Sequence, residues 1–122
     1  MAEMDSVLDG IAGVDGVMAA VVAGRDGLMI QGSQRSGGHE DLDALAAISA
    51  DVVRNLRTLG ADMGRSALDQ VIVEFGDGMV LLQPVGDDAS LAVMAGPDGN
   101  IGRLRFLVRR RAPELAQLLA QM

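Results

Sequence analysis

Cysteine is absent from this chain, as are lysine, tyrosine and tryptophan, and histidine occurs once. Each absence closes off a chemistry. Without Cys there is no disulfide, no thiolate metal ligand and no sulfur nucleophile, and an intracellular setting is comfortable. Without Lys there is no Schiff base. Nor can a Walker-type phosphate loop be completed, because its Lys must reach the β- and γ-phosphates. Two Phe are the whole aromatic content, which removes base stacking as a way to hold single-stranded nucleic acid. Long apolar runs are missing too. The longest, Val17 to Ala23, is far too short to span a bilayer, and no basic region precedes an apolar N-terminal stretch. The expectation is a cytoplasmic protein with no transmembrane segment.

What is present is a chain of 122 residues that is 49% apolar, which predicts a single globular domain over 1–122. Its core must be built from Ala, Val, Leu, Ile and eight Met. Small aliphatics bury less area per side chain than aromatic anchors, so joining a second copy would be a natural remedy. Charge is divided along the chain. Residues 1–100 hold 16 acids against 5 Arg, a net −11, and residues 101–122 hold 1 acid against 5 Arg, a net +4, which together give −7. An acidic body argues against nucleic-acid binding, which needs a broad basic surface. All-Arg basicity also fits a G+C-rich genome.

Periodicity gives the elements. Met4, Val7, Leu8 and Ile11 fall at helical spacing in a first helix ended by Gly13. The run 17-VMAAVVA-23, the turn Gly24-Arg25-Asp26-Gly27 and 28-LMIQG-32 make a hairpin, followed by a polar loop over 33–40. From Asp41 as N-cap, Leu42, Leu45, Ile48, Val52, Leu56, Leu59 and Met63 form a stripe predicted to face the core, with Gly60 and Gly64 closing the helix. Beside it runs a strip of Ala46, Ala50, Val53 and Arg57, small enough for another helix to approach. Then 69-DQVIVEF-75, 79-MVLLQP-84 and 90-SLAVMA-95 read as a meander. A last helix starts at Ile101, with Pro113 expected to kink or interrupt it. The order α-β-β-α-β-β-β-α suggests an α+β fold, a five-stranded antiparallel sheet with helices on both faces.

Catalytic inventory is thin. The stretch 27-GLMIQGS-33 has phosphate-loop glycine spacing, but the Lys is lacking and the segment is itself strand-like. His39 sits beside Glu40, Asp41 and Asp43, which could suggest a weak surface metal site; acids at a helix start equally suit the cap and dipole. Ser33 and Ser36 near His39 are neighbours in sequence rather than a triad. Asp87 and Asp88 point apart if extended. No catalytic, cofactor or metal residue is assigned. An enzyme using His39 would need activity lost in His39→Ala with the fold kept. The Arg103, Arg105, Arg109, Arg110 and Arg111 cluster reads as a solvated helix face, or as a docking face for an acidic partner or an anionic membrane. Gln70 to Phe75 is regular and lacks edge protection apart from Glu74. At a sheet edge it would invite a second copy, with the Ala-bearing helix strip packing on its symmetry mate.

The segments 7-VLDGIAGVDGVMAAVVAGRDGLMIQGS-33, 42-LDALAAISADVVRNLRTLG-60, 69-DQVIVEFGDGMVLLQPVGDDASLAVMA-95 and 100-NIGRLRFLVRR-110 together resemble a Roadblock / dynein light chain domain, in particular its short bacterial and archaeal members. The resemblance implies a fold similar to longin and profilin-like domains. It also implies a homodimer formed through the third strand, Gln70–Phe75, and the second helix, Leu42–Leu59. Relatives include scaffolds and GTPase-activating partners of small Ras-like GTPases, so it implies a non-enzymatic homodimeric regulator or scaffold that binds such a GTPase and does not itself hold GTP. The expected interface residues are Leu42, Ala46, Ser49, Ala50, Val53, Arg57, Gln70, Ile72 and Glu74, with Arg54 and Arg57 as candidate partner contacts, one of them as an arginine finger. The alternative is a small-ligand sensory or generic protein-interaction domain on the same fold, using a pocket between helix and sheet.

Overall fold

A computed structural model describes residues 2–122. Helix α1 (Ala2–Ala12) turns Met4, Leu8 and Ile11 into the core. It ends where the Gly13 N–H donates to the Asp9 carbonyl at 2.9 Å. Strands β1 (Val17–Gly24) and β2 (Met29–Gln34) form the first hairpin. At its turn the Asp26 carboxylate accepts from the Leu28 N–H at 3.1 Å, and Gly27 sits at φ 84°, a left-handed position that side chains resist. β2 runs two residues beyond its expected end at Gly32, because Ser33 and Gln34 still pair with Ala20 and Ala19.

Helix α2 (Leu42–Asp62) begins at Asp41, whose carboxylate accepts from the Ala44 N–H at 3.1 Å. Gly60 lies inside the helix instead of closing it; the left-handed residue beyond the end is Gly64, at φ 68°. β3 (Val71–Phe75), β4 (Gly78–Val85) and β5 (Ala89–Ala95) form the expected meander. Helix α3 (Ile101–Ala120) is capped by Asn100, which accepts from the Arg103 N–H at 3.0 Å. It runs unbroken through Pro113. Pro113 and Arg109 are both exposed, so the carbonyl that loses its partner one turn earlier can be solvated, and the expected interruption does not occur.

The strands form one sheet in the order β2-β1-β5-β4-β3, antiparallel throughout. α1 and α3 cover one face, over Ala20, Val22, Leu81, Leu91 and Val93. α2 covers the other face, over Ala19, Val21, Ala23, Leu82 and Ala92. This is the α+β sheet with helices on both faces that the element order implied.

The buried face of α2 differs in part from expectation: Leu42, Leu45 and Val52 of the expected stripe do pack on the core layer, but its other large residues do not all follow. Leu45, Ala46, Ser49, Ala50 and Val53 are buried against the sheet, whereas Ile48, Leu59 and Met63 remain 64%, 55% and 63% exposed. The cause lies beneath the helix. The sheet surface there carries Ala19, Ala23 and Ala92 beside Val21 and Leu82, so the small residues Ala46, Ser49 and Ala50 let the helix settle close while Leu45 and Val53 fill the remaining space. Ala46, Ser49, Ala50 and Val53, expected to meet a second copy, therefore fill the protein's own second core layer.

Candidate functional site

One face and one edge of the molecule are left apolar and uncovered. α2 lies over β1, β5 and β2, with only slight contact to β4, and β3 is paired with β4 alone at the end of the sheet. On the α2 side of the sheet, Val71 packs against the helix core, and strand alternation brings Val73 and Phe75 to that same side. Phe75 is 59% exposed. The other edge, β2, is flanked by both α1 and α2. The outer α2 residues Ile48, Leu59 and Met63 and the β3 residues Val73 and Phe75 thus make a two-element apolar surface. A groove of about 1010 Å³ runs from the end of α2 to the start of β3, lined by Leu56, Leu59, Met63, Leu68 and Val71 together with Arg57, Asp69 and Asp87.

The remaining expected site residues divide by location. Leu42 and Ile72 are half-buried, Leu42 against the α2 core layer and Ile72 against the α1/α3 layer. Glu74 is exposed. The Gln70 side chain turns away from the edge into a polar clamp. Its amide donates to Gln83 Oε1 and to the Arg105 carbonyl, both at 2.9 Å, and its oxygen accepts from Arg105 Nε and Arg109 Nη2, both at 3.3 Å. Arg109 also pairs with Asp69 at 2.7 Å. Gln83 closes the set by donating to the Asp69 carbonyl at 3.2 Å. The clamp fixes the start of β3 to α3, so part of the basic cluster is structural. Arg111 pairs with Glu114 at 2.9 Å, while Arg103 and Arg110 make no ion pair among the described residues.

The two arginines considered as partner contacts are both engaged. Arg57 donates to the Asp87 carbonyl at 2.8 Å and the Gly86 carbonyl at 2.9 Å, fastening α2 to the β4–β5 turn. Arg54 pairs with Asp51 and donates to the Arg25 carbonyl at 3.2 Å, fastening α2 to the β1–β2 turn. His39 is exposed in the loop before α2, and the described residues contain no group of three or more His, Asp and Glu placed to hold a metal ion. The segment with phosphate-loop spacing is turn and strand. Among the described residues no helix is long and apolar enough to cross a membrane.

Sequence reasoning missed Ile48, Leu59, Met63, Val73 and Phe75 as surface. A signal was available: alternation already separates Val71, Val73 and Phe75 from Gln70, Ile72 and Glu74. The alanines of 17-VMAAVVA-23 also announce a floor that suits small residues.

The geometry is that of an α+β domain with an open sheet edge and exposed apolar side chains on its second helix. More particularly, the chain belongs to the Roadblock/LC7 domain family, whose pattern matches residues 3–95. It is 27% identical over 112 residues to the uncharacterised protein MJ0714 of Methanocaldococcus jannaschii, covering 92% of each chain. The fold is shared with MglB of Myxococcus xanthus, at a TM-score of 0.88 and 16% identity over 100% of this chain and 98% of that one. It is also shared with a Roadblock/LC7 domain from Streptomyces avermitilis, at a TM-score of 0.83 and 22% identity over 95% and 97% of the two chains.

Proposed function

We propose that this chain is a homodimeric regulator or scaffold for a small Ras-like GTPase, working through its partner's active site and not through one of its own. The observation that carries the proposal is the exposed apolar side chains of outer α2 and of the open β3 edge. Five large apolar side chains there, Ile48, Leu59, Met63, Val73 and Phe75, remain between 36% and 64% exposed. Membership of the Roadblock/LC7 family supports the same view, since the resemblance implies dimers that present a GTPase-binding platform. A second copy pairing at β3 would cover this surface without a further element.

Any stimulation of GTP hydrolysis would act by ordering the GTPase's own residues. Arg54 and Arg57 are tied to backbone carbonyls of their own chain, so neither is a ready arginine finger. The test is affinity capture from the native lysate with GDP and with a non-hydrolysable GTP analogue, alongside light scattering of the purified protein. Nucleotide-dependent recovery of an identified small GTPase by a dimer is the expected result. A monomer at micromolar concentration refutes the dimer, and failure to recover any GTPase in either nucleotide state refutes the partner class.

The groove beside α2 supports one alternative, a small-ligand sensory domain. Under that alternative a metabolite raises the melting temperature and no GTPase is captured.

A further inference from the structure

We infer that the α1/α3 face is a second docking surface whose occupant is the same face of another copy, with Phe106 of α3 seated against Gly10 of the opposing α1. This face lies on the other side of the sheet from α2. The inference is therefore independent of the GTPase proposed above and of whatever covers α2 and β3.

Both aromatics of the chain are exposed, and Phe106, at 64%, is the one on this side of the sheet. α3 turns Leu104, Val108, Ala112 and Leu115 inward. Helical spacing then places Arg103, Phe106 and Arg110 along its outer line. Arg103 and Arg110 make no ion pair among the described residues. An exposed ring flanked by two uncommitted guanidinium groups suits an occupant that is acidic and offers a shallow apolar seat.

α1 answers that description. The net −7 of the chain is unevenly divided on this face: α3 carries five Arg and one Glu, a net +4, whereas α1 carries Glu3, Asp5 and Asp9, a net −3. None of those three acids makes an ion pair among the described residues. Gly10 is exposed inside α1, and a Cβ added there meets nothing within 4 Å. Glycine weakens a helix, and packing within the protomer gives no reason for it at this position. Close approach of a ring from outside does.

The levels also agree. Glu3 and Ser6 lie beside Arg111 and Glu114. At the other end of α1, the Gly96 N–H just before α3 donates to the Gly16 carbonyl at 2.9 Å, so the two helices run antiparallel. Ser6 to Gly10 advances about 6 Å towards that end, and Arg111 back to Phe106 about 7.5 Å, at 1.5 Å per residue. Phe106 is thus level with Gly10. A two-fold axis along the seam between α1 and α3 preserves level and sets each α3 over the opposite α1. Arginines then meet acids in both halves of the contact at once. An anionic membrane would instead meet Glu3, Asp5 and Asp9 together with the arginines, which opposes it.

Analytical ultracentrifugation of the full chain, at matched concentrations, tests the contact. The wild type forms a larger assembly than Phe106→Glu, which weakens the association by at least about tenfold. Gly10→Leu weakens it too while raising the melting temperature, an outcome that a purely structural glycine would not give. Arg103→Glu with Arg110→Glu fails to associate through this face, and so does Glu3→Lys with Asp5→Lys. An equimolar mixture of the two restores the assembly; Asp9 is left in place because it accepts from the Ser33 hydroxyl at 2.6 Å. Equal masses for wild type and Phe106→Glu overturn the self-docking. Association that survives Gly10→Leu overturns the seat on α1, and a mixture that fails to restore it overturns the charge pairing. Wild-type binding to phosphatidylglycerol vesicles that is lost with Arg103→Glu and Arg110→Glu, without any change in mass, overturns the second copy in favour of lipid.

Discussion

The shift of the buried face of α2 towards Ala46 and Ala50 makes one pair of substitutions decisive. Ile48 is 64% exposed on the outer face, and Ala46 is 0% exposed on the inner face. Full burial of an Ile side chain is worth about 1.5–3 kcal/mol, so the part of Ile48 still in water represents about 1–2 kcal/mol per copy. The symmetric dimer counts this twice, and truncation to Ala leaves the Cβ behind. Ile48→Ala should therefore weaken dimerisation by about 1.5–3 kcal/mol, roughly ten- to a hundredfold in the dissociation constant. Stability of the protomer itself should stay within about 0.5 kcal/mol, as for other surface changes. Ala46→Leu does the reverse. It forces three more carbons between α2 and the alanine floor of β1 and β5, which costs about 1–3 kcal/mol of folding stability.

Analytical ultracentrifugation gives the dissociation constants. Thermal melts give stability, at fixed protomer concentration because dimerisation itself raises the melting temperature. At about 3–5 °C per kcal/mol for a chain of this size, Ala46→Leu lowers the midpoint by roughly 3–15 °C. If Ala46→Leu instead dissociates the dimer with its melting temperature intact, and Ile48→Ala leaves the dimer untouched, the small-residue strip faces the partner and the packing argument fails.

Two further outcomes concern the fastenings of α2. Arg57→Met keeps the stem but leaves the Gly86 and Asp87 carbonyls without their donor; urea unfolding should report a loss of about 1–2 kcal/mol. Unchanged stability would mean that water replaces the guanidinium at no cost. Asp41→Ala removes the acceptor for the Ala44 N–H, and the same assay should show about 1 kcal/mol lost, whereas Asp41→Asn should be nearly neutral.

The order of elements was legible because the chain marks its boundaries with local chemistry. Asp26-Gly27 makes the first turn, Asp41 and Asn100 cap helices with their own side chains, and Gly76-Asp77 reverses β3 into β4. These signals act over four residues or fewer and need no knowledge of the rest of the fold. The face that α2 buries was not legible in the same way. Its apolar residues are spread around much of the helix, so periodicity alone ranks the strip with larger side chains first. What decides is the sheet beneath, and Ala19, Ala23 and Ala92 come from strands on both sides of α2 in the sequence. The roles of Arg54 and Arg57 were hidden for the same reason, since their acceptor carbonyls lie about thirty residues away at the tips of two different hairpins.

These non-local contacts bear on why the apolar surface exists. A helix settled low on an alanine floor presents its larger side chains outward, so small residues inside α2 and large residues outside are one arrangement. Arg54 and Arg57 hold that arrangement at the C-terminal half of the helix by anchoring it to the β1–β2 and β4–β5 turns, at one end of the sheet. The Gln70–Gln83–Arg105 clamp holds the start of β3 against α3 on the other face. Both parts of the apolar surface are thus fixed before any partner arrives, which lowers the ordering entropy that association must overcome. Preformed and apolar, the surface suits the self-association proposed above.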